Sequence, residues 1–89
     1  MEKRIGTALI MVEDKSEVLK INKILSAHSE IIIARQGLSL PERSFSLITL
    51  VLEGTTDQLA SLSGQIGKIS GVKVKSVLMK STTEDNENN

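Results

Sequence analysis

Few residues of this chain could do chemistry, and their spacing limits what each could do. His28 is the only histidine and there is no cysteine. A structural or catalytic metal site needs several converging nitrogen, sulfur or carboxylate donors. Beside His28 the sequence offers only Glu30. As a general base, His28 lacks a neighbouring nucleophile and a third group to orient it. Its type and place suit a helix end, where an imidazole caps the last carbonyls and complements the negative end of the dipole. Glu13, Asp14 and Glu17 form a carboxylate cluster. Paired carboxylates can serve acid–base chemistry or hold a cation. The same residues also fit a capping box, with Asp14 as N-cap and Glu17 three positions on. Asp14 remains a candidate because a helix N-terminus can bind a small anion, although two carboxylates oppose a strongly negative one.

Two further groups could touch a ligand or a partner. Arg35, Gln36 and Gly37 read as the end of a strand, where a polar pair followed by glycine can line a site or simply exit into a loop. Gly64 and Gly67 lie within an amphipathic helical pattern. The GQIG they form is no dinucleotide fingerprint, because it neither follows a strand nor has the spacing. Each glycine inside a helix costs roughly 1 kcal/mol relative to alanine. Close approach of another backbone, within the subunit or across an interface, would offset that cost. On a helical wheel Ala60 joins them in a small-residue strip.

The elements that must position these groups follow from periodicity. Arg4–Glu13 and Ser44–Leu52 are apolar on both parities, as central strands are. Asp14 opens a helix with Val18, Ile21 and Leu25 on one stripe, Ile24 beside it and His28 at the far end. Ile31–Leu38 is β-branched and reads as a strand. Pro41, the only proline, lies in the connector that follows. Gly54 breaks the third strand. Thr55 and Gln58 make a second capping box for a helix that runs to about Ser70, with Leu59, Leu62, Ile66 and Ile69 on its stripe. Gly71 suits the left-handed position after a helix, and Val72–Met79 is a final strand. The order is βαββαβ: an α+β, ferredoxin-like split βαβ fold, with a four-stranded antiparallel sheet and two helices on one face. Met1–Lys80 is expected to form this domain, and Ser81–Asn89 a disordered polar tail.

Composition removes several functions. Phe45 is the only aromatic residue, and the eleven basic residues balance the eleven acidic ones. No stacking platform or electrostatic pull toward nucleic acid is expected, and Lys68, Lys73, Lys75 and Lys80 read as a solvated face. No run reaches the roughly 18–20 apolar residues of a membrane helix, and no signal-peptide pattern opens the chain. A cytoplasmic location is expected, with no membrane partner, no cofactor, no metal and no catalytic residue. Leu9, Ile10, Met11 and Val12 in the first strand and Leu47, Ile48, Leu50, Val51 and Leu52 in the third place apolar residues on both faces, so several aliphatic side chains would sit on the uncovered one. A homo-oligomer through that face or the sheet edges is therefore expected.

The stretch LSGQIGKISGVKVKSV, Leu62–Val77, resembles the family named for a regulator of the iron-only hydrogenase system. Weaker similarity lies in the opening MEKR, in VED at Val12–Asp14 and in LITLVL at Leu47–Leu52. The resemblance implies an ACT-like fold, related also to the C-terminal domain of nickel-responsive regulators. It implies a non-enzymatic regulatory module that binds a small effector or a partner protein, with transcription regulation as one such role. The alternative is a structural or protein-interaction domain with no small ligand. Nickel-responsive relatives bind metal through several histidines and a cysteine, which this chain lacks. ACT domains place a glycine at the first strand–helix turn near their amino-acid ligand. Here that turn is Glu13-Asp14-Lys15-Ser16. Asp14, Arg35, Gln36, Gly37, Gly64 and Gly67 are the candidate effector or interface residues.

Overall fold

The computed structural model describes residues 2–81, with Lys80 and Ser81 described through their backbone. Four strands and two helices alternate in the expected order: β1 (Arg4–Val12), α1 (Val18–Ala27), β2 (Ile32–Ser39), β3 (Ser46–Gly54), α2 (Thr56–Gly67) and β4 (Val72–Ser81). The strands form one antiparallel sheet in the order β2-β3-β1-β4. The polar tail expected over Ser81–Asn89 lies outside the described residues, except for Ser81, which closes β4.

Alternation assigns the two faces. In β1, Ala8, Ile10 and Val12 are buried, and in β3 so are Ile48, Leu50 and Leu52. They share one cluster with Ile21 and Leu25 of α1 and Leu59, Leu62 and Ile66 of α2. Both helices therefore cover the even-numbered face of the central strands. Ile10 sits at its centre, opposite Ile48 on one side and Val74 on the other.

The helix starts differ from each other. At α2 the capping box forms: Gln58 N–H donates to Thr55 Oγ1 at 3.2 Å, and Thr55 N–H donates to Gln58 Oε1 at 2.9 Å. At α1 it does not. The Asp14 N–H that Glu17 would have to satisfy already donates to Gly71 O at 3.3 Å. Glu17 turns instead to Lys20 Nζ, 3.2 Å away. Residues Lys15–Glu17 form a 3₁₀ turn before α1 begins at Val18. Asp14 caps that turn through Ser16.

Two glycines are dictated by space or backbone. Gly71 has φ +77°, a left-handed conformation that favours glycine. It is not the residue directly after α2, which ends at Gly67 with Lys68 as its cap. It turns the chain into β4, and its carbonyl accepts from both Glu13 N, at 2.7 Å, and Asp14 N. Gly6 is buried in β1 beside a register shift against β4. A Cβ there would stand 2.7 Å from Leu78 Cδ2 and 2.8 Å from Val77 O. Gly54 ends β3 instead of breaking it short.

Gly6→Ala is expected to destabilise the domain by about 1–3 kcal/mol, because the obstructing Val77 oxygen belongs to the backbone and cannot rotate away. Urea unfolding followed by circular dichroism measures this as a lower midpoint with unchanged slope.

Candidate functional site

β2 is a margin of the sheet, and its pairing with β3 sorts the expected trio. Arg35 lies opposite Leu50 and Gly37 opposite Ile48, both on the helix side. Gln36 lies opposite Thr49 and faces the uncovered side. The strand alternates its side chains, so Gln36 and Gly37 belong to opposite faces, while Arg35 also borders, with Ala34, Gln36, Thr49 and Val51, a shallow hollow of about 340 Å³ on the uncovered side. Arg35 and Gly37 do come together. They border a cleft of about 290 Å³ between α1 and the β2 edge, with Val12 and Ile48 at its base and Val18 and Asn22 along its helix wall. Gly37 has nothing within 4 Å of where a Cβ would project, which keeps this cleft open.

Arg35 is held in place from the helix. Its Nη2 donates to Asn22 Oδ1 at 3.2 Å. A guanidinium has five N–H donors, so the remaining ones can meet a carboxylate or phosphate oxygen. The cleft thus joins one fixed cation and an amide to an aliphatic base. It suits a small anionic molecule with an apolar part. Its volume is at the low end for ligand sites, roughly 300–1,000 Å³.

The other candidates lie elsewhere. Asp14 caps its turn at the tip between β1 and α1. Its Oδ1 accepts from Ser16 Oγ at 2.6 Å and from Ser16 N at 3.0 Å. Those two bonds, the hydroxyl's first, hold its carboxyl below the ordinary carboxylate range. Gly64 has nothing within 4 Å of its Cβ position, and Gly67 meets only Val74 Cγ1 at 3.6 Å. Among the described residues no backbone presses on Gly64 or Gly67 beyond ordinary contact.

His28 takes the structural role its position implies. Its Nδ1 lies 2.7 Å from Ile24 O and must carry a proton to donate there. Nε2 lies 3.3 Å from Ser61 Oγ. That hydroxyl accepts from Gln65 Nε2 at 3.1 Å, which leaves its own hydrogen for the imidazole. His28 thereby ties the end of α1 to α2. Among the described residues, no three of His, Asp and Glu gather as a metal site.

The sequence gives Asn22 no sign of its hydrogen bond to Arg35. Sequence reasoning also missed a hollow of about 320 Å³ between α2 and β4, lined by Leu59, Ala60, Ser63, Ser76 and Leu78 among others. On the uncovered face Leu9, Val51 and Leu38 are 46, 42 and 50 % exposed.

This is the ferredoxin-like architecture of ACT domains. The ACT domain from GTP pyrophosphokinase of Chlorobium tepidum matches it with a TM-score of 0.65 and 19% identity over 91% of each chain. The C-terminal domain of the MgtC protein from Mycobacterium tuberculosis matches at 0.66 and 12% identity, over 86% of this chain and 88% of that one. At such identities the likeness shows the fold alone. The sequence narrows it further. Residues 4–76 match the family described as "TM1266-like: Iron-only hydrogenase system regulator, putative", and the chain belongs to that family. Protein TM1266 from Thermotoga maritima is 38% identical, with a TM-score of 0.84 over 89% of this chain and 100% of that one. No curated protein matches the chain. No helix among the described residues is long and apolar enough to cross a membrane.

The Asp14 carboxyl favours the folded state above its unfolded pKa, and that contribution is lost as pH falls through its lower folded value. Ser16→Ala removes the hydroxyl bond. Carbon-detected NMR titration is expected to show the Asp14 midpoint below the ordinary aspartate value in the parent and displaced upward in the variant.

Proposed function

We propose that this chain is a non-enzymatic regulatory module of an iron-only hydrogenase system. In this reading it works as a homo-oligomer in the cytoplasm and binds a small anionic effector in the cleft between α1 and β2. The observation that carries the self-association is the uncovered sheet face. Leu9 and Val51 lie on the two central strands and stay more than two-fifths exposed in the single subunit. Fully burying an aliphatic side chain contributes roughly 1.5–3 kcal/mol, so a few such residues favour pairing strongly. Membership of a family described as a regulator supports the role. Arg35, fixed by Asn22 over an aliphatic base, supports the ligand class.

Regulation then requires that the effector bind one packing arrangement better than another. The cleft offers a route. Leu38 and Leu47 line its margin, and they pair with each other on the uncovered face. A ligand that shifts them alters the surface available to another subunit or a partner protein. A second reading, a protein-interaction domain without a small ligand, is favoured by one feature: Arg35, Gly37, Leu38 and Ser39 all line the cleft from exposed positions.

Native mass spectrometry of the full chain tests both halves together. The expected spectrum is an oligomer carrying extra small-molecule mass, or acquiring it from a panel of carboxylates and nucleotides. Arg35→Gln is expected to keep the oligomer and lose the added mass. A ligand-free oligomer, unmoved in thermal shift by the panel, would turn the assignment to the second reading. A monomer at micromolar concentration would sink the oligomeric one.

A further inference from the structure

The two margins of the sheet are built differently. β2 has eight residues, with a bulge between Ile32 and Ala34, and pairs regularly only from Ala34 to Ser39. β4 is ten residues long, and its pairing with β1 is regular from Val72 to Leu78, before its own register shift opposite Arg4 and Gly6. Its outer edge has no strand beside it among the described residues. Val77, Leu78 and Met79 follow one another there, 63, 42 and 61 % exposed. Three exposed aliphatics in a row on a long edge are a liability in a lone domain.

Above this edge lies the hollow between α2 and β4. At 100° per residue, Thr56, Ala60, Ser63 and Gly67 share the flank of α2 that overhangs β4, and Gly64 sits at its upper margin. No large side chain stands on that flank. A second helix can therefore come close to it.

We propose that a second copy of this chain occupies this edge. The two β4 strands pair antiparallel about a two-fold axis through Ser76, and the two α2 helices meet across it. This inference rests on the self-association proposed above and places it at the sheet edge, not on the uncovered face. Charge narrows the register. An axis at Lys75 would set Lys75 against the partner's Lys75, and one at Val74 would set Lys73 against the partner's Lys75. Like charges directly opposite are destabilising. An axis at Ser76 sets Lys75 against the partner's Val77 and Lys73 against the partner's Met79. The lysine stems then cover exposed apolar side chains while their ammonium groups stay in water. On the helix side Val74 meets the partner's Leu78, which closes the hollow. An axis at Val77 also separates Lys73 from Lys75 over a ladder of the same length, and the helices decide between the two.

The helices select the axis at Ser76. Ser63 and Ser76 line one hollow, and Gly67 stands over Val74. Ser63 is thus level with Ser76. Antiparallel helices crossing at that level set Ala60 against the partner's Gly67, and bring Asp57 near the partner's Lys68. Neither Asp57 nor Lys68 has an ion pair among the described residues. The small residues of α2, unexplained by the single subunit, become the contact between helices.

The chain has no cysteine, so single substitutions report contact without background. Directly opposed residues of an antiparallel pair have Cα atoms about 4.5–5.5 Å apart, within the span of a disulfide. Under mild oxidation, Ser76→Cys is expected to give a covalent dimer far faster than Gln36→Cys on the other margin or Thr49→Cys on the uncovered face. Gly64→Arg places its side chain in open space in the subunit. It is expected to keep the thermal unfolding transition and halve the mass seen by light scattering. Asp57→Lys is expected to weaken the assembly, and Asp57→Lys with Lys68→Asp to restore it. Cross-linking of Ser76→Cys no faster than Gln36→Cys, or an unchanged mass for Gly64→Arg, would overturn the inference. Fast cross-linking of Thr49→Cys alone would overturn it and leave self-association standing. A wild-type monomer at micromolar concentration would overturn both.

Discussion

Two helices can cover only one face of a four-stranded sheet, and everything else in this domain is arranged around that limit. The covered face holds a tight aliphatic core in which Ile10, Ile21, Leu50, Leu52, Leu62 and Ile66 are fully buried. A chain with a single aromatic residue must fill that core with branched aliphatics, which pack well on a pleated surface. The cost falls on the other face. β1 and β3 are apolar on both sides, a pattern that belongs to strands covered above and below. The subunit satisfies only half of it.

The seam between Gly71 and the Glu13–Asp14 backbone sets the geometry of one end of the molecule. One carbonyl accepts two amides there, so β1, the first turn and the entry to β4 are locked together. The consequence reaches α1. With its amide engaged, Asp14 cannot complete a capping box, and the helix begins four residues later at Val18. The 3₁₀ turn between them sets Val18 and Asn22 along the cleft wall.

The elements and the core were legible because their signals are local. The Thr55–Gln58 box and the Leu59–Leu62–Ile66 stripe needed nothing beyond a dozen residues. What failed was local reading of residues with distant partners. The Asp14–Glu17 box looked complete in sequence and was broken by Gly71, more than fifty positions away. Gly71 itself looked like a helix stop, and its positive φ is real, but it serves β4. Arg35, Gln36 and Gly37 looked like one group, and strand alternation set Gln36 apart from Gly37 with Arg35 bordering a hollow on each side. Asn22 gave no sign of its role because a wet helix position is the usual place for asparagine. Gly6 carried no signal at all, since its neighbour Leu78 arrives only through sheet pairing.

The alternation of side chains along β2 bears directly on regulation. An edge strand presents one side chain to the helix layer and the next to the open face, so neither can move alone. Arg35 and Gly37 border the cleft, while Gln36 and Leu38 face outward beside Thr49 and Leu47. The bulge at Ile32 and Ala34 adds a place where this strand can adjust without disturbing β3 along its whole length. A molecule drawn in by Arg35 would act on β2 from the covered side and be felt on the uncovered one. The size of that effect is bounded by how differently the molecule binds the two arrangements. On that bound the margin strand, and not the packed centre of the sheet, is the element on which a small effector would have leverage.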